Sequence, residues 1–401
     1  MSEAVLVLNS GSSSIKFGLF DIARTEPRLL CKGLLDEHET APRFAVVDAS
    51  GHHLFEKRRP PADKDGQSLL ADILDWIGDY LTGGSLVAVG HRVVHGGRDF
   101  AGPAEVTDEI IEALAALTPL APLHQPRCLS PMRAIRLLRP NLRQIACFDT
   151  AFHHSLAPPV SRFAIPRRFE EMGIRRYGFH GLSYEFIAGR LAGISPSLAG
   201  ARTVAAHLGN GASLCAMRNG ISIDTTMGLT PLDGLMMGTR CGTIDPGVLL
   251  YLQQQGMQLA ELEHMLYQEA GLLGVSSLSA DMRELLASDD PRAREAIDLF
   301  TFRVAREVAA MANTLGGLEC LVFTGGIGEH SAEIRQQICE RLQWLGVRLD
   351  HSANDQGHEC VSAKDSNVDI CVVPTSEETM IARHCAGALR AGERSRETGH
   401  L

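Results

Sequence analysis

The side chains of this sequence best suited to chemistry sit in three glycine-bearing loops and in a few stretches dense in arginine and histidine. The first loop, NSGSSSIKF, runs from Asn9 to Phe17 and offers consecutive hydroxyls, a glycine backbone and Lys16. Glycine lets backbone N–H groups face an anion, hydroxyls donate to phosphate oxygens, and a lysine adds a point charge. It differs from a P-loop, because no glycine precedes Lys16 and no Ser or Thr follows it. On its own it reads equally well as a serine-rich hairpin turn. The loops HLGNGASL, from His207, and GGIG, from Gly325, carry the same ambiguity singly. Three such loops in one acidic chain favour phosphate binding.

The stretch GHRVVHGGRDF sets Arg92 beside the apolar pair Val93 and Val94 and close to glycines. A guanidinium there can hold a carboxylate or phosphate bidentately, and its partner is either a substrate carboxylate or a buried Asp. RRYGFHGLS places His180 between glycines, and GLTPLDGLMMGTRCGTIDPG places Arg240 in a glycine-flanked loop. Such loops are more often functional than core segments are, although glycine loops also need polar side chains to close them.

These residues need elements to position them. Val5 to Leu8, a loop from Asn9 to Ser14, and an alternating run through Ile15, Phe17 and Leu19 predict a hairpin. Leu70, Ile73, Trp76, Ile77 and Tyr80 recur at helical spacing over Ser68 to Leu81, and Thr107 caps a helix that stops before Pro119. Gln144 to Phe148 reads as a strand delivering Asp149 to a loop. A second hairpin follows, with Val204 to Leu208, a loop Gly209 to Ser213, and a strand ending at Asn219 and Gly220. The echo suggests two similarly built halves. Asp290 and Pro291 open a long helix that Gly316 and Gly317 stop, and the strand Leu318 to Thr324 then meets the GGIG turn. Ser331 caps a helix that turns Ile334, Ile338 and Leu342 inward.

The composition bounds the function. A chain of 401 residues with 45% hydrophobic content is expected to divide into two domains. With 38 basic against 48 acidic residues, it offers no electrostatic footprint for nucleic acid or an anionic membrane. The start MSEAVLVLNS has neither a basic region nor a long apolar run, and no stretch approaches the roughly 18 apolar residues of a membrane span. Ten scattered cysteines without a CxxC pair read as reduced cytoplasmic thiols rather than a disulfide framework or zinc site.

The strings NSGSSSIKF, HRVVHGG, APLH, FDTAFH, RYGFHG, HLGNGAS, TTMGLTPLDGLMMGTRCG, FTGGIGE and PTSEE resemble, in order and spacing, the signature set of the acetate kinase family. The resemblance spans almost the whole chain. It implies an α/β fold of two duplicated actin-like (ribonuclease H-like) ATPase domains with the active site in the cleft, shared with sugar kinases and heat-shock chaperones. Residues 1–150 with about 384–401 are then the carboxylate-side domain, and 151–383 the nucleotide-binding domain.

The resemblance further implies Mg²⁺, or Mn²⁺ in its place, held by Asn9 and Glu377, with Ser12, Ser14 and Lys16 meeting phosphate. ATP or ADP would be surrounded by His207, Leu208, Gly209, Asn210 and Gly211, by Asp281, Met282 and Arg283, and by Gly326, Ile327, Gly328, Glu329 and His330. Arg92 and Arg240 would face the carboxylate and the group in transfer, and His180 would stabilise the transition state. Asp149 matches the family's catalytic acid, and Val94, Leu123, Phe179 and Pro231 its small apolar pocket. The implied substrates are acetate and acetyl phosphate, and the implied assembly is a homodimer. A carboxylate acceptor is already ionised near neutral pH, so Asp149 is expected to position metal or water, or to orient an arginine, rather than to remove a proton. Gln125, His154 and His330 depart from the family pattern. Propionate or butyrate kinase is the nearest alternative; a sugar kinase needs a base for a hydroxyl, and a chaperone-type ATPase needs a peptide-binding domain.

Overall fold

The computed structural model describes residues 3–10, 14–36, 43–58 and 66–398, in two compact units. One unit comprises Met1–Phe152 with Ser376–Leu401, and the other His153–Thr375. The second crossing therefore falls earlier than the expected position near residue 384. The correction has a packing cause: the whole helix Glu377–Thr398 belongs with the first unit's sheet.

The first unit is an eight-stranded sheet of β1 (Glu3–Ser10), β2 (Ser14–Asp21), β3 (Arg28–Asp36), β4 (Arg43–Asp48), β5 (His53–Arg58), β6 (Ser85–Val93), β7 (Ala104–Glu105) and β8 (Arg143–Phe148). Their order is β5-β4-β3-β2-β1-β6-β8-β7, with β1, β6 and β8 parallel. Parallel strands are covered on both faces and read as continuous apolar runs, as Ala4 to Leu8 does at 0–1% exposure. Helices Gly66–Tyr80 and Gln125–Leu138 cover one face, with Leu70, Ile73, Ile77 and Ile135 in a core shared with Leu6, Leu8 and Val89. Gly90, next along β6, points to the other face. A Cβ there would lie 2.5 Å from Ile381 Cγ2 and 2.6 Å from Cys385 Sγ, so this glycine admits the helix Glu377–Thr398.

The second unit is a five-stranded sheet of β9 (Thr203–Leu208), β10 (Ala212–Arg218), β11 (Ile221–Thr225), β12 (Cys320–Thr324) and β13 (Asp369–Val372), ordered β11-β10-β9-β12-β13. Here β9 and β10 are antiparallel, as are β10 and β11, whereas β9, β12 and β13 are parallel. The core of the first sheet, β3-β2-β1-β6-β8, has the same order and directions. Asp290 caps the helix Pro291–Leu315 by accepting from Arg292 N, and Gly316 ends it at φ 71°. Asn219 and Gly220 turn the β10–β11 hairpin with φ of 53° and 70°. The GGIG segment is not a simple turn: residues Gly325–His330 form one short helix directly after β12.

Candidate functional site

In the first unit the candidate residues gather at the carboxyl ends of the three parallel strands. Asn9 lies on β1, Arg92 on β6, and Asp149 directly follows β8. Asn9 was expected in a loop; it is instead a strand residue in register with Lys16. Arg92 is mostly buried, and its guanidinium is spoken for on both edges. Nε donates to Asp149 Oδ1 at 3.0 Å and Nη2 to Asp149 Oδ2 at 2.8 Å, the bidentate geometry of an arginine–carboxylate pair. Nη1 reaches Glu377 Oε2 at 2.9 Å and Asn9 Oδ1 at 3.4 Å. Asn9 Nδ2 in turn donates to Glu377 Oε2 at 3.4 Å.

The electrostatics follow from this packing. Burial opposes the Arg92 charge, but Asp149 and Glu377 outweigh it and hold the guanidinium more firmly protonated than usual. Burial pushes the Glu377 carboxyl upward, aided by Glu378 and opposed by Arg92, Lys16 and Asn9. Asp149 is 1% exposed, and its backbone N–H donates to Val93 O at 2.9 Å, which joins it to β6. Behind this group, Gln125 accepts from His95 N at 3.2 Å and donates to His95 O at 2.9 Å and Leu114 O at 3.1 Å. The Gln125 amide thus shapes the HRVVHGG segment. Val94 is buried and Leu123 is 40% exposed. Ser14 begins β2, and Ser12 lies outside the described residues.

Asn9 Oδ1 and Glu377 Oε2 both meet Arg92 Nη1, so the two residues offer an amide oxygen and a carboxylate in one neighbourhood, an all-oxygen donor set, although it is the Asn9 nitrogen that faces the carboxylate. Mg²⁺ typically takes one or two protein oxygens and completes its shell with water and phosphate. That chemistry fits these two residues, and Mn²⁺ accepts the same donors. Among the described residues no group of three His, Cys, Asp or Glu side chains is arranged to hold a metal.

In the second unit, His180 adopts the left-handed conformation, φ 57°, as the residue capping the helix Gly181–Ile194. A non-glycine residue at positive φ is held there only by its surroundings. His180 Nδ1 is 2.9 Å from Ser213 Oγ, which is 2.6 Å from Tyr184 Oη, and the ring stacks on His207 with centroids 4.3 Å apart. His207 Nδ1 is 2.9 Å from Ser183 Oγ, and Thr375 Oγ1 donates to Ser183 at 2.8 Å. Glu329 Oε1 then accepts from Gly325 N at 2.8 Å and Thr375 N at 3.1 Å. Glu329 therefore locks the glycine segment to the connection that follows β13.

The loop Gly209–Gly211 and the start of the short helix Gly325–His330 lie side by side, because β9 and β12 are parallel with His207 opposite Thr324. Leu208 and Gly328 are core, whereas Asn210, Gly326 and His330 are exposed and Ile327 is half-buried. Ligands of open α/β sheets bind beyond the carboxyl ends of such strands. Arg240 donates from Nη1 to Pro231 O at 3.1 Å, and burial lowers its pKa. A Cβ on Gly211 would lie 3.4 Å from His180 Nε2 and 3.9 Å from Arg240 Nη1, so these three belong to one neighbourhood. Phe179 and Pro231 are buried. Asp281 caps the helix Met282–Leu286 and pairs with the exposed Arg283, whose hydrogen bonds lower the carboxyl to about 2, while Met282 is core.

Sequence reading passed over Ser183, Tyr184, Ser213 and Thr375. Ser183 had a usable signal, since it lies one helical turn after His180 and shares its side of the helix. Thr375 lies in the PTSEE string, but its contacts with Ser183 and Glu329 had no local signal, because those partners are distant in sequence.

The chain matches the Acetokinase family over residues 4–383. It is 53% identical over 391 residues to an acetate kinase of Rhodopseudomonas palustris (strain TIE-1), covering 96% of this chain and 98% of that one. A solved propionate kinase from Francisella tularensis superposes with a TM-score of 0.88 at 37% identity, covering 96% of this chain and 99% of the other. The Porphyromonas gingivalis acetate kinase structure gives 0.83 at 36% identity, covering 95% and 98%. Taken with these relatives, the two sheets of matching strand order in their cores make the chain an α/β phosphotransferase of the duplicated actin-like class, with a carboxyl group as acceptor. Within that class the chain belongs to the acetokinase family.

Proposed function

We propose that this protein reversibly transfers the γ-phosphoryl group of ATP to acetate, giving acetyl phosphate and ADP by direct in-line displacement. The observation that carries the reading is Arg92, a guanidinium fixed by Asp149 on one edge and Glu377 on the other. A carboxylate acceptor needs no base; it needs a positioned cation and neutralisation of charge on the phosphoryl oxygens. Arg92 supplies the first and Arg240 the second, with His180 bonding the group in flight. Asp149 holds Arg92 in orientation. Mg²⁺ bound through Asn9 and Glu377 would offset phosphate charge, and Ser12, Ser14 and Lys16 would meet the same phosphates. His207–Gly211, Asp281–Arg283 and Gly326–His330 would cradle the nucleotide, while Val94, Leu123, Phe179 and Pro231 would take the acceptor's methyl group. Turnover requires both sets of residues to act on one phosphoryl group.

A hydroxamate assay with ATP, Mg²⁺ and acetate is expected to accumulate acyl phosphate; its absence would leave a sugar-type phosphotransferase. Propionate is the second reading, supported by the similarity to a propionate kinase structure. One methylene is worth only about 1–3 kcal/mol, so acetate is expected to lead in kcat/KM by roughly tenfold or more, and a propionate preference would overturn the acceptor.

We also propose a homodimer. The helix Pro246–Gln254 buries none of its residues, and Val248, Leu250 and Tyr251 are exposed, a composition suited to a second copy. Sedimentation is expected to show a dimer that Leu250→Asp disrupts. A cytoplasmic setting is supported by ten cysteines that form no disulfide, and no helix among the described residues is long and apolar enough to cross a membrane.

A further inference from the structure

Outside the phosphoryl-transfer residues, three cysteines meet at one edge of the second sheet. Cys320 lies on β12 and Cys371 on β13, and an isolated antiparallel bridge sets Cys360 opposite Cys371. The flanking hydrogen bonds fix what kind of pair this is. Val361 N donates to Ile370 O and Val372 N to Glu359 O, each at 2.9 Å. These bonds bracket Cys360 and Cys371 without joining them, so the two form a non-hydrogen-bonded antiparallel pair. Such pairs hold their Cα atoms about 4.5 Å apart with both side chains on one face, inside the span a disulfide bridges. Cys360 is exposed, whereas Cys371 and Cys320 are buried.

We propose that Cys360 and Cys371 form a peroxide-reactive dithiol that closes to a disulfide. The Cys360 thiolate attacks one oxygen of hydrogen peroxide, the O–O bond breaks, and water leaves with Cys360 as the sulfenic acid. Cys371 then attacks the Cys360 sulfur, the S–O bond breaks, and the oxygen departs as a second water. The two thiols lose two electrons and two protons in all, and the peroxide takes up both. Cys371 is equipped for its part, because the Cys320 thiol donates to it and lowers its pKa against burial. The backbone bonds on either side already hold both segments in place, so closure requires rotation of side chains and no movement of strands.

The test uses the full-length protein, treated with hydrogen peroxide, alkylated and digested with trypsin without reductant. Cleavage after Arg348, Lys364 and Arg383 puts Cys360 and Cys371 on different peptides, and Cys320 on a third. The expected product is a Cys360–Cys371 crosslinked peptide, lighter by two hydrogens and separated by dithiothreitol. The protein should lose two titratable thiols in step. Cys360→Ser, a change at an exposed position, is expected to abolish the crosslink and retain full kinase activity. Conversion of Cys360 to the sulfinic acid while Cys371 stays alkylatable would overturn the proposal. So would an undiminished loss of two thiols in Cys360→Ser, which would assign the chemistry to Cys320 and Cys371.

Discussion

Arg92 owes its orientation to acids from two distant parts of the sequence, and this sets what each acid can be asked to do. Asp149 presents both oxygens to one guanidinium edge. A carboxylate so engaged is a poor proton acceptor and a good clamp. Asp149→Asn is therefore expected to lower kcat by about 10²-fold or more, a loss typical of disturbed charge positioning, while leaving the shape of the kcat–pH profile unchanged. An acidic limb present in the parent protein and absent from the variant would instead make Asp149 a base. The neutral buried histidines give a different pH dependence. His91 and His153 are both pushed down to about 4 by burial. Unfolded histidine takes its proton near 6.5, so between these values the unfolded chain binds more protons and stability falls as pH drops. Each contributes of order 3 kcal/mol across that window. Urea midpoints measured from about pH 7 down to about pH 5 are expected to fall, and less steeply in His153→Gln.

At the scale of elements, glycine decides whether the loop bearing Arg240 can close. Gly271 has φ 64°, and a Cβ there would lie 2.2 Å from Met237 O and 2.8 Å from Arg240 O. Gly316 has the similar φ of 71° with nothing within 4 Å of its Cβ position. Gly316→Ala should thus cost only the left-handed penalty of about 1 kcal/mol, whereas Gly271→Ala adds backbone collision and is expected to cost about 3 kcal/mol or more. Chemical denaturation of both variants checks the difference. The contrast also marks the limit of sequence reading. Gly316 was legible as a helix stop, because capping is a local signal. Gly271 was not, because its neighbours are 31 and 34 positions away in the sequence. The hairpin from β1 to β2, the Thr107 cap and the Asp290 cap were legible for the same local reason. β6 escaped notice as a strand, since its apolar run continues into His91 and Arg92 without alternation.

At the scale of the molecule, the repeated strand order was foreshadowed by two loops of similar composition after two similar strands. The motif residues Asn9, Arg92 and Asp149 fall at the carboxyl ends of their strands, where polar residues interrupt apolar runs and open α/β sheets commonly bind ligands. What the sequence concealed was where the chain crosses back: the whole helix from Glu377 joins the first sheet, a matter of packing over more than 280 residues between Gly90 and Ile381. The division predicts that residues 153–375, a contiguous unit, unfold cooperatively as an isolated fragment, while residues 1–152 alone do not. Circular dichroism melts of the two fragments test this.

That returning helix also imposes an order on biosynthesis. Domains usually fold as they emerge, the first made being the first formed. Here Gly90 waits for Ile381 and Cys385, and Arg92 for Glu377, all of which are translated only after the entire second unit. On the ribosome the second unit can finish first, while the earlier-made strands β1, β6 and β8 stand with one apolar face uncovered. The arginine group at their carboxyl ends is thus completed late in synthesis, and nascent chains halted before residue 377 would carry a folded glycine-loop half beside an unfinished partner.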